Sequence, residues 1–131
     1  MEEVETRSED ILIIEGTIHN EKVKIVLAYF NCNKELSGAR YKENREMQKE
    51  IEEHMQVEED VHLVILGDIN GRLKSLEPEK STDANGQIIE DWVNNLEMIH
   101  LNRSDLCEGT YTYGRPGKPK SAIGHVMLII S

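Results

Sequence analysis

The chain has 131 residues, 38% hydrophobic and 31% charged; this is the size of one domain and is too apolar for a disordered segment. Its 15 basic and 25 acidic residues give a net charge of −10, which excludes a generally basic nucleic-acid coat and leaves only a local patch for any nucleic-acid contact. The longest apolar runs, 61–66 and 126–130, fall well short of the roughly 20 residues of a membrane span, so no membrane contact is expected. The opening Glu2, Glu3, Glu5, Glu9 and Asp10 lack the basic start of a secretory signal, and residues 1–10 read as an acidic tail. Cys32 and Cys107 make neither a metal spacing nor a disulfide framework and read as buried free thiols. An intracellular chain, nuclear or cytoplasmic, is expected.

Ile11-Leu12-Ile13-Ile14 and Lys22 to Tyr29, separated by the turn-forming His19-Asn20-Glu21, predict an antiparallel hairpin. Asn31, Asn33 and Gly38 mark a loop. Tyr41 to Gln56 predicts an amphipathic helix with Met47, Ile51 and Met55 as a narrow apolar stripe; Glu46, Glu50 and Glu53 read as its solvated face. His62 to Leu66 is a buried strand ending in Gly67-Asp68-Ile69-Asn70-Gly71. After a polar loop, Lys74 to Asn85, the pair Asn85-Gly86 opens a second helix with Ile88, Ile89, Trp92, Val93 and Leu96 as core positions. Met98 to Leu101 is a short strand, Thr110 to Tyr113 another, residues 114–120 a turn with three positive charges, and Ile123 to Ile130 the last strand. Strands and helices in this order predict an α+β fold, with sheets packed face to face and helices outside. There is no internal repeat or linker, so residues 11–131 read as one unit.

The sharpest local feature is Asp68 and Asn70 at the end of the buried strand. Alternation along a strand would point both side chains to one face, and a carboxylate beside a carboxamide suits a phosphoryl group bridged to Mg²⁺. The plain alternative is a strand-end turn, where Gly, Asp and Asn serve the backbone. An EF-hand loop counted from Asp68 puts Gly71 fourth rather than sixth, and Asp60-Val61-His62 lies on the same strand as Asp68, too far along it to share a metal pair. Tyr29, at the end of its strand, is either a rim aromatic or a donor to developing negative charge. The five histidines show no zinc spacing, and there is no P-loop or dinucleotide glycine pattern.

Four segments in order carry a family resemblance: 24–31, 64–71, the set Asn85-Gly86, Trp92, Leu101-Asn102 and 110–113, and 121–126. They resemble the "vYxP", "GDFN", "NG…L…LN…TW" and "S-x-I-D-H-V" stretches of the endonuclease/exonuclease/phosphatase superfamily. Within it they are most similar to the apurinic-site-like endonuclease of LINE-type (non-LTR) retrotransposon reverse transcriptases, or to a craniofacial-development-protein-like derivative. The resemblance implies part of a four-layer α/β sandwich, with two mainly antiparallel sheets flanked by helices. It also implies Mg²⁺- or Mn²⁺-dependent phosphodiester hydrolysis acting on DNA. Tyr29 would stabilise the pentavalent phosphorus, Asp68 would orient or deprotonate water and touch the metal, and Asn70 would hold the phosphate and help place Asp68. Asn31 would contact substrate. Arg115, Lys118 and Lys120 would lie near the nucleic acid, an expectation from their charge.

The departures shape the functional expectation. The family's Asp falls on Gly124, which has no side chain for metal or histidine. The family's metal-binding Glu and its terminal catalytic His correspond to positions outside this sequence. The chain therefore reads as a partial domain, inactive as written, since losing members of a catalytic constellation costs orders of magnitude in rate. Two other readings stand beside this one. The chain is a domesticated module that binds a protein partner or itself through an uncovered sheet, which its acidity favours over DNA; or its motifs are coincidental in an unrelated α/β domain, with Tyr29, Asp68 and Asn70 apart.

Overall fold

His19 and Asn20 both take left-handed backbone, φ 49° and 67°, the geometry of a two-residue turn whose twist matches its flanking strands. The computed structural model describes residues 1–32, 37–55, 60–76, 81–104, 116 and 124–129. The turn joins β2 (Ile11–Ile18) to β3 (Glu21–Tyr29), as the two β-branched runs predict, and β1 (Glu2–Val4) pairs antiparallel with β2. The acidic first ten residues thus contribute an edge strand. Helix α1 (Gly38–Met55) then carries the chain across to β4 (Val61–Asp68), which pairs parallel with β3, as a helical crossover allows.

Helix α2 (Ala84–Leu96) follows, capped by the Asp83 carboxylate, which accepts from the Gly86 N–H at 2.8 Å. Strand β5 (Ile99–His100), a short 3₁₀ turn (Leu101–Arg103) and β6 (Gly124–Ile129) complete the described chain. The six strands lie in the order β1-β2-β3-β4-β6-β5. With two helices they make the expected α+β fold, and the described residues supply one sheet and one helical layer of it.

The two faces of the sheet differ. On one, Ile11, Ile13, Val26, Ala28, Leu63, Ile65 and Met127 are buried with Met47 and Ile51 of α1 and Ile88, Ile89 and Trp92 of α2 in a single core. Phe30 meets Trp92 edge to face, with ring centroids 6.4 Å apart, a favoured aromatic geometry. The other face carries two apolar rows across four strands, Leu12-Leu27-Leu66-Val126 and Ile14-Ile25-Val64-Leu128, half-buried or exposed. Ile99 lies beside Leu128 and is 45% exposed.

Three expectations are corrected. Leu96, assigned to the core, is exposed at the last residue of α2, beyond the turn that faces the sheet. Cys32 is an exposed thiol because it leaves β3 on the loop side. Glu50 does not belong to the solvated face: its buried carboxylate accepts from the Arg7 N–H at 2.6 Å and the Ser8 N–H at 3.1 Å, tying the segment before β2 to α1. Glu53 does stay exposed, where its carboxylate is held below its usual range first by a hydrogen bond from Arg7. Cys107, the predicted strand 110–113 and most of the turn 114–120 lie outside the described residues.

Gly67 fixes how closely β3 and β4 approach. Its φ is +143°, and a Cβ there would sit 2.0 Å from the Ala28 carbonyl oxygen, so both backbone angle and space demand glycine. Gly67→Ala is expected to cost about 3 kcal/mol of stability or more, read as a lower urea midpoint with an unchanged m-value.

Candidate functional site

The register of the central strands builds the site. Tyr29 is the neighbour of Asp68 on β3 and β4, and Gly124 is the neighbour of Asp68 on β6. The three residues form one row at the end of the sheet, next to the apolar row Leu27-Leu66-Val126. The Phe30 N–H extends the ladder by donating to the Asp68 carbonyl at 2.9 Å. Tyr29 is 51% exposed, so its phenol is open to solvent.

Asn70 reaches this row by a turn. β4 ends at Asp68, so strand alternation does not extend to Asn70, which instead takes left-handed backbone at φ 51°. Its own N–H donates to Asp68 Oδ1 at 3.2 Å, and its Nδ2 donates to the Phe30 carbonyl at 2.7 Å. The buried carboxamide thus staples the end of β3 while the backbone steers the Asp68 carboxylate. A non-glycine residue in this region is uncommon and strained, though asparagine tolerates it best.

An asparagine cluster beneath the row holds these loops. Asn85 Nδ2 donates to the Asn31 carbonyl at 2.8 Å and to the Ile69 carbonyl at 3.0 Å. Asn44 Nδ2 donates to Asn85 Oδ1 at 3.0 Å and to the Asn31 carbonyl at 2.9 Å. Asn44 Oδ1 accepts from the Asn31 N–H at 3.0 Å. Asn44 and Asn85 are both 1% exposed, so these bonds take the place of water for buried amides. Asn31, expected to contact substrate, gives its carbonyl and N–H to this cluster, and its Nδ2 to Glu43 at 3.0 Å. Asn44 escaped the sequence analysis. Its signal was a polar residue three positions before Met47 on the apolar stripe of α1.

The segment after Asn70 is equally bound. Asp83 Oδ1 accepts from the Arg72 N–H at 2.9 Å, and the Asp83 N–H donates to the Arg72 carbonyl at 3.1 Å. Gly86 presses on the same segment, because a Cβ there would lie 2.1 Å from the Arg72 carbonyl oxygen. These contacts explain Asn85-Gly86, the pair the sequence singled out. Asn102, from the Leu101-Asn102 pair, donates to the Gly124 carbonyl at 2.7 Å and accepts from the Val126 N–H at 3.0 Å, fixing β6 on both sides of His125. Arg115, Lys118 and Lys120 lie outside the described residues.

The donors present do not by themselves fit a divalent cation. Asp68 brings one carboxylate, its neighbour Gly124 brings none, and among the described residues no three His, Cys, Asp or Glu side chains gather as metal ligands. One carboxylate is the least a Mg²⁺ ion uses, and only with other oxygens around it.

A family profile described as endonuclease-reverse transcriptase matches residues 23–128, and the chain belongs to that family. Solved structures share the fold. The endonuclease domain of TRAS1, a telomere-specific non-LTR retrotransposon, is 20% identical with a TM-score of 0.61, over 90% of this chain and 49% of that one. A humanized D. rerio TDP2 is 14% identical with a TM-score of 0.55, over 90% and 44%. D. rerio TDP2 complexed with a single-strand DNA product is 17% identical with a TM-score of 0.51, over 90% and 45%. The chain therefore spans about half the length of these structures. No curated protein matches it. No helix among the described residues is long and apolar enough to cross a membrane.

Two measurements probe the support of the site. Asn85→Ala strands the Ile69 carbonyl, leaves the Asn31 carbonyl with Asn44 alone and takes the acceptor from Asn44 Nδ2; it is expected to cost about 2–4 kcal/mol, with a double-mutant cycle against Asn44→Ala showing coupling. The second concerns His100, whose pKa is pushed down from 6.5 to about 3 by burial, then by His125 and Arg103. An unfolded chain binds this proton below pH 6.5 and the native chain does not until about pH 3. The contribution of His100 is therefore complete above pH 6.5 and is lost toward pH 3, by about 1.4 kcal/mol per pH unit. Urea melts of wild type and His100→Phe across that window should show stability falling more steeply toward low pH in the wild type.

Proposed function

We propose that the chain is a phosphodiester-hydrolase-type endonuclease domain of retrotransposon origin, which keeps the phosphate-facing end of the sheet and does not turn over DNA on its own. The row Tyr29-Asp68-Gly124 carries this reading. A solvent-facing phenol stands beside a carboxylate steered by the Asn70 N–H, while the third place is empty of any side chain. In the chemistry proposed, the Tyr29 hydroxyl donates to a phosphoryl oxygen as charge builds there. Asp68 aligns a water for in-line attack and accepts its proton. Asn70 acts on the phosphate and on the position of Asp68. Asn31, Arg115, Lys118 and Lys120 would contact the nucleic acid, the basic three supplying the local positive charge that a net −10 chain otherwise lacks.

Nucleases of this type use Mg²⁺ or Mn²⁺ to gather charge at the phosphate; one carboxylate opposite Gly124 is a poor seat for either, so no step here is assigned to the metal. The proposed DNA substrate follows from the family and from the single-strand DNA product bound in one TDP2 structure. A second reading, a module that binds a protein partner or a second copy, is favoured by the acidity and by the apolar rows of the sheet's second face.

Supercoiled plasmid incubated with the chain and Mg²⁺ is expected to show no nicking above that of Asp68→Ala. Clear nicking abolished by Asp68→Ala would overturn the inactivity. Gly124 sits in strand backbone without positive φ, so no backbone strain opposes a side chain there. Gly124→Asp would set a second carboxylate beside Asp68 and is expected to tighten Mn²⁺ binding by about tenfold or more, measured by calorimetry. An unchanged affinity would remove Gly124 from the site.

A further inference from the structure

Two buried histidines outside the Tyr29-Asp68-Gly124 row form a hydrogen-bonded chain that ends on the Asn70 loop. His125, on β6 and 1% exposed, approaches the Gly71 carbonyl oxygen with Nε2 at 2.8 Å. His100, on β5 and 5% exposed, places its Nε2 3.0 Å from His125 Nδ1. With both rings neutral, hydrogen-bond polarity sets the protons of this pair. A carbonyl oxygen only accepts, so His125 Nε2 carries the hydrogen. Neutral His125 then presents a bare Nδ1, which only accepts, so His100 Nε2 must donate. His100 Nδ1 is left bare, and it is buried with no hydrogen-bond partner among the described residues. Each imidazole is thus held in its Nε2–H form by the next group along.

The carbonyl at the end of this chain matters. Gly71 follows Asn70, the left-handed residue whose N–H steers the Asp68 carboxylate. The Ile69 carbonyl is held by Asn85, and the Arg72 N–H and carbonyl by Asp83. Between those points Asn70 holds Asp68 and Phe30, and the Gly71 carbonyl adds a tether whose donor comes from β6. The backbone on either side of His125 is itself fixed by Asn102, so the ring stands on an anchored strand.

We propose that His125, whose tautomer the Gly71 carbonyl sets and whose bare Nδ1 is held by the His100 N–H, is a positioning residue that clamps Gly71 and so holds Asn70 in the conformation that steers Asp68. This deepens the phosphodiester reading of the same site and rests on it for its functional meaning, although the clamp itself can be measured without any hydrolysis.

The test uses the full chain and NMR. Long-range ¹⁵N–¹H spectra of the wild type at neutral pH should show both rings as Nε2–H tautomers. His125→Phe keeps the bulk and removes the donor; the Asn70 amide, which reports its bond to Asp68, should then exchange about tenfold faster. Amides of the β2–β3 hairpin should remain at wild-type rates. His125→Gln returns an N–H donor and should restore the Asn70 rate to within about threefold. His100→Phe should leave the fold intact and keep His125 in the Nε2–H form, since the Gly71 carbonyl still requires that hydrogen. Should His125→Phe fail to fold, the wild-type tautomers and the other two variants still decide. A His125 in the Nδ1–H form, in the wild type or in His100→Phe, or an Asn70 amide that exchanges about tenfold faster in His125→Gln than in the wild type, would overturn the clamp. In a protein that folds with His125→Phe, an unmoved Asn70 rate would do the same. Failure of the phosphodiester reading looks different: Mn²⁺ would broaden no signal near Asp68 in Gly124→Asp, while the tautomer and exchange signatures persist.

Discussion

The parallel pairing of β3 with β4 is the constraint on which the rest depends. Its register, from Lys22 beside Val61 to Tyr29 beside Asp68, brings together two residues that no short stretch of chain could juxtapose. The pairing is close because Gly67 lets the β4 backbone pass the Ala28 carbonyl. It is maintained from below because alternate residues, Val26, Ala28, Leu63 and Ile65, enter one core with both helices. A slip of one residue would exchange the buried and open faces and dismantle the Tyr29-Asp68 row together with the core.

What surrounds that pairing is polar and buried. Asn44, Asn70 and Asn85 form bonds to backbone groups of the loops that leave β3 and β4, Asn31 among them. Satisfied buried amides add little net stability but are costly to disturb. Their effect is to leave the two loops a single arrangement. A left-handed Asn70 is tolerated because donors and acceptors converge on the residues either side of it.

Much of this was legible in the sequence because local rules governed it. The β2–β3 hairpin followed from two β-branched runs around a turn that favours asparagine. α2 followed from Asn85-Gly86 and the spacing of Ile88, Ile89 and Trp92. Asp68 and Tyr29 stood out as polar ends of apolar strands, and the ordered motifs agreed with the family that matches 23–128. The remainder depended on partners distant in the chain. Glu50 looked like part of a solvated face because the Arg7 and Ser8 amides that occupy it are more than forty residues away. The bridging role of Asn44 and the two imidazoles on the Gly71 loop had no local pattern, since hydrogen-bond networks have no period. Alternation suggested how Asn70 would meet Asp68, yet the strand had already ended.

The clamp between His125 and Gly71 joins positions 54 residues apart, the same span as Asn31 and Asn85. The hairpin of β2 and β3 closes a two-residue turn and needs no such journey. Chain connectivity therefore orders assembly: the cheap local ladder can form early, while the ends that would meet a phosphate must await the slow closure of long loops and the docking of β6. The region with the most chemical interest is in this way the last to become ordered and, by the same entropy, the first to loosen.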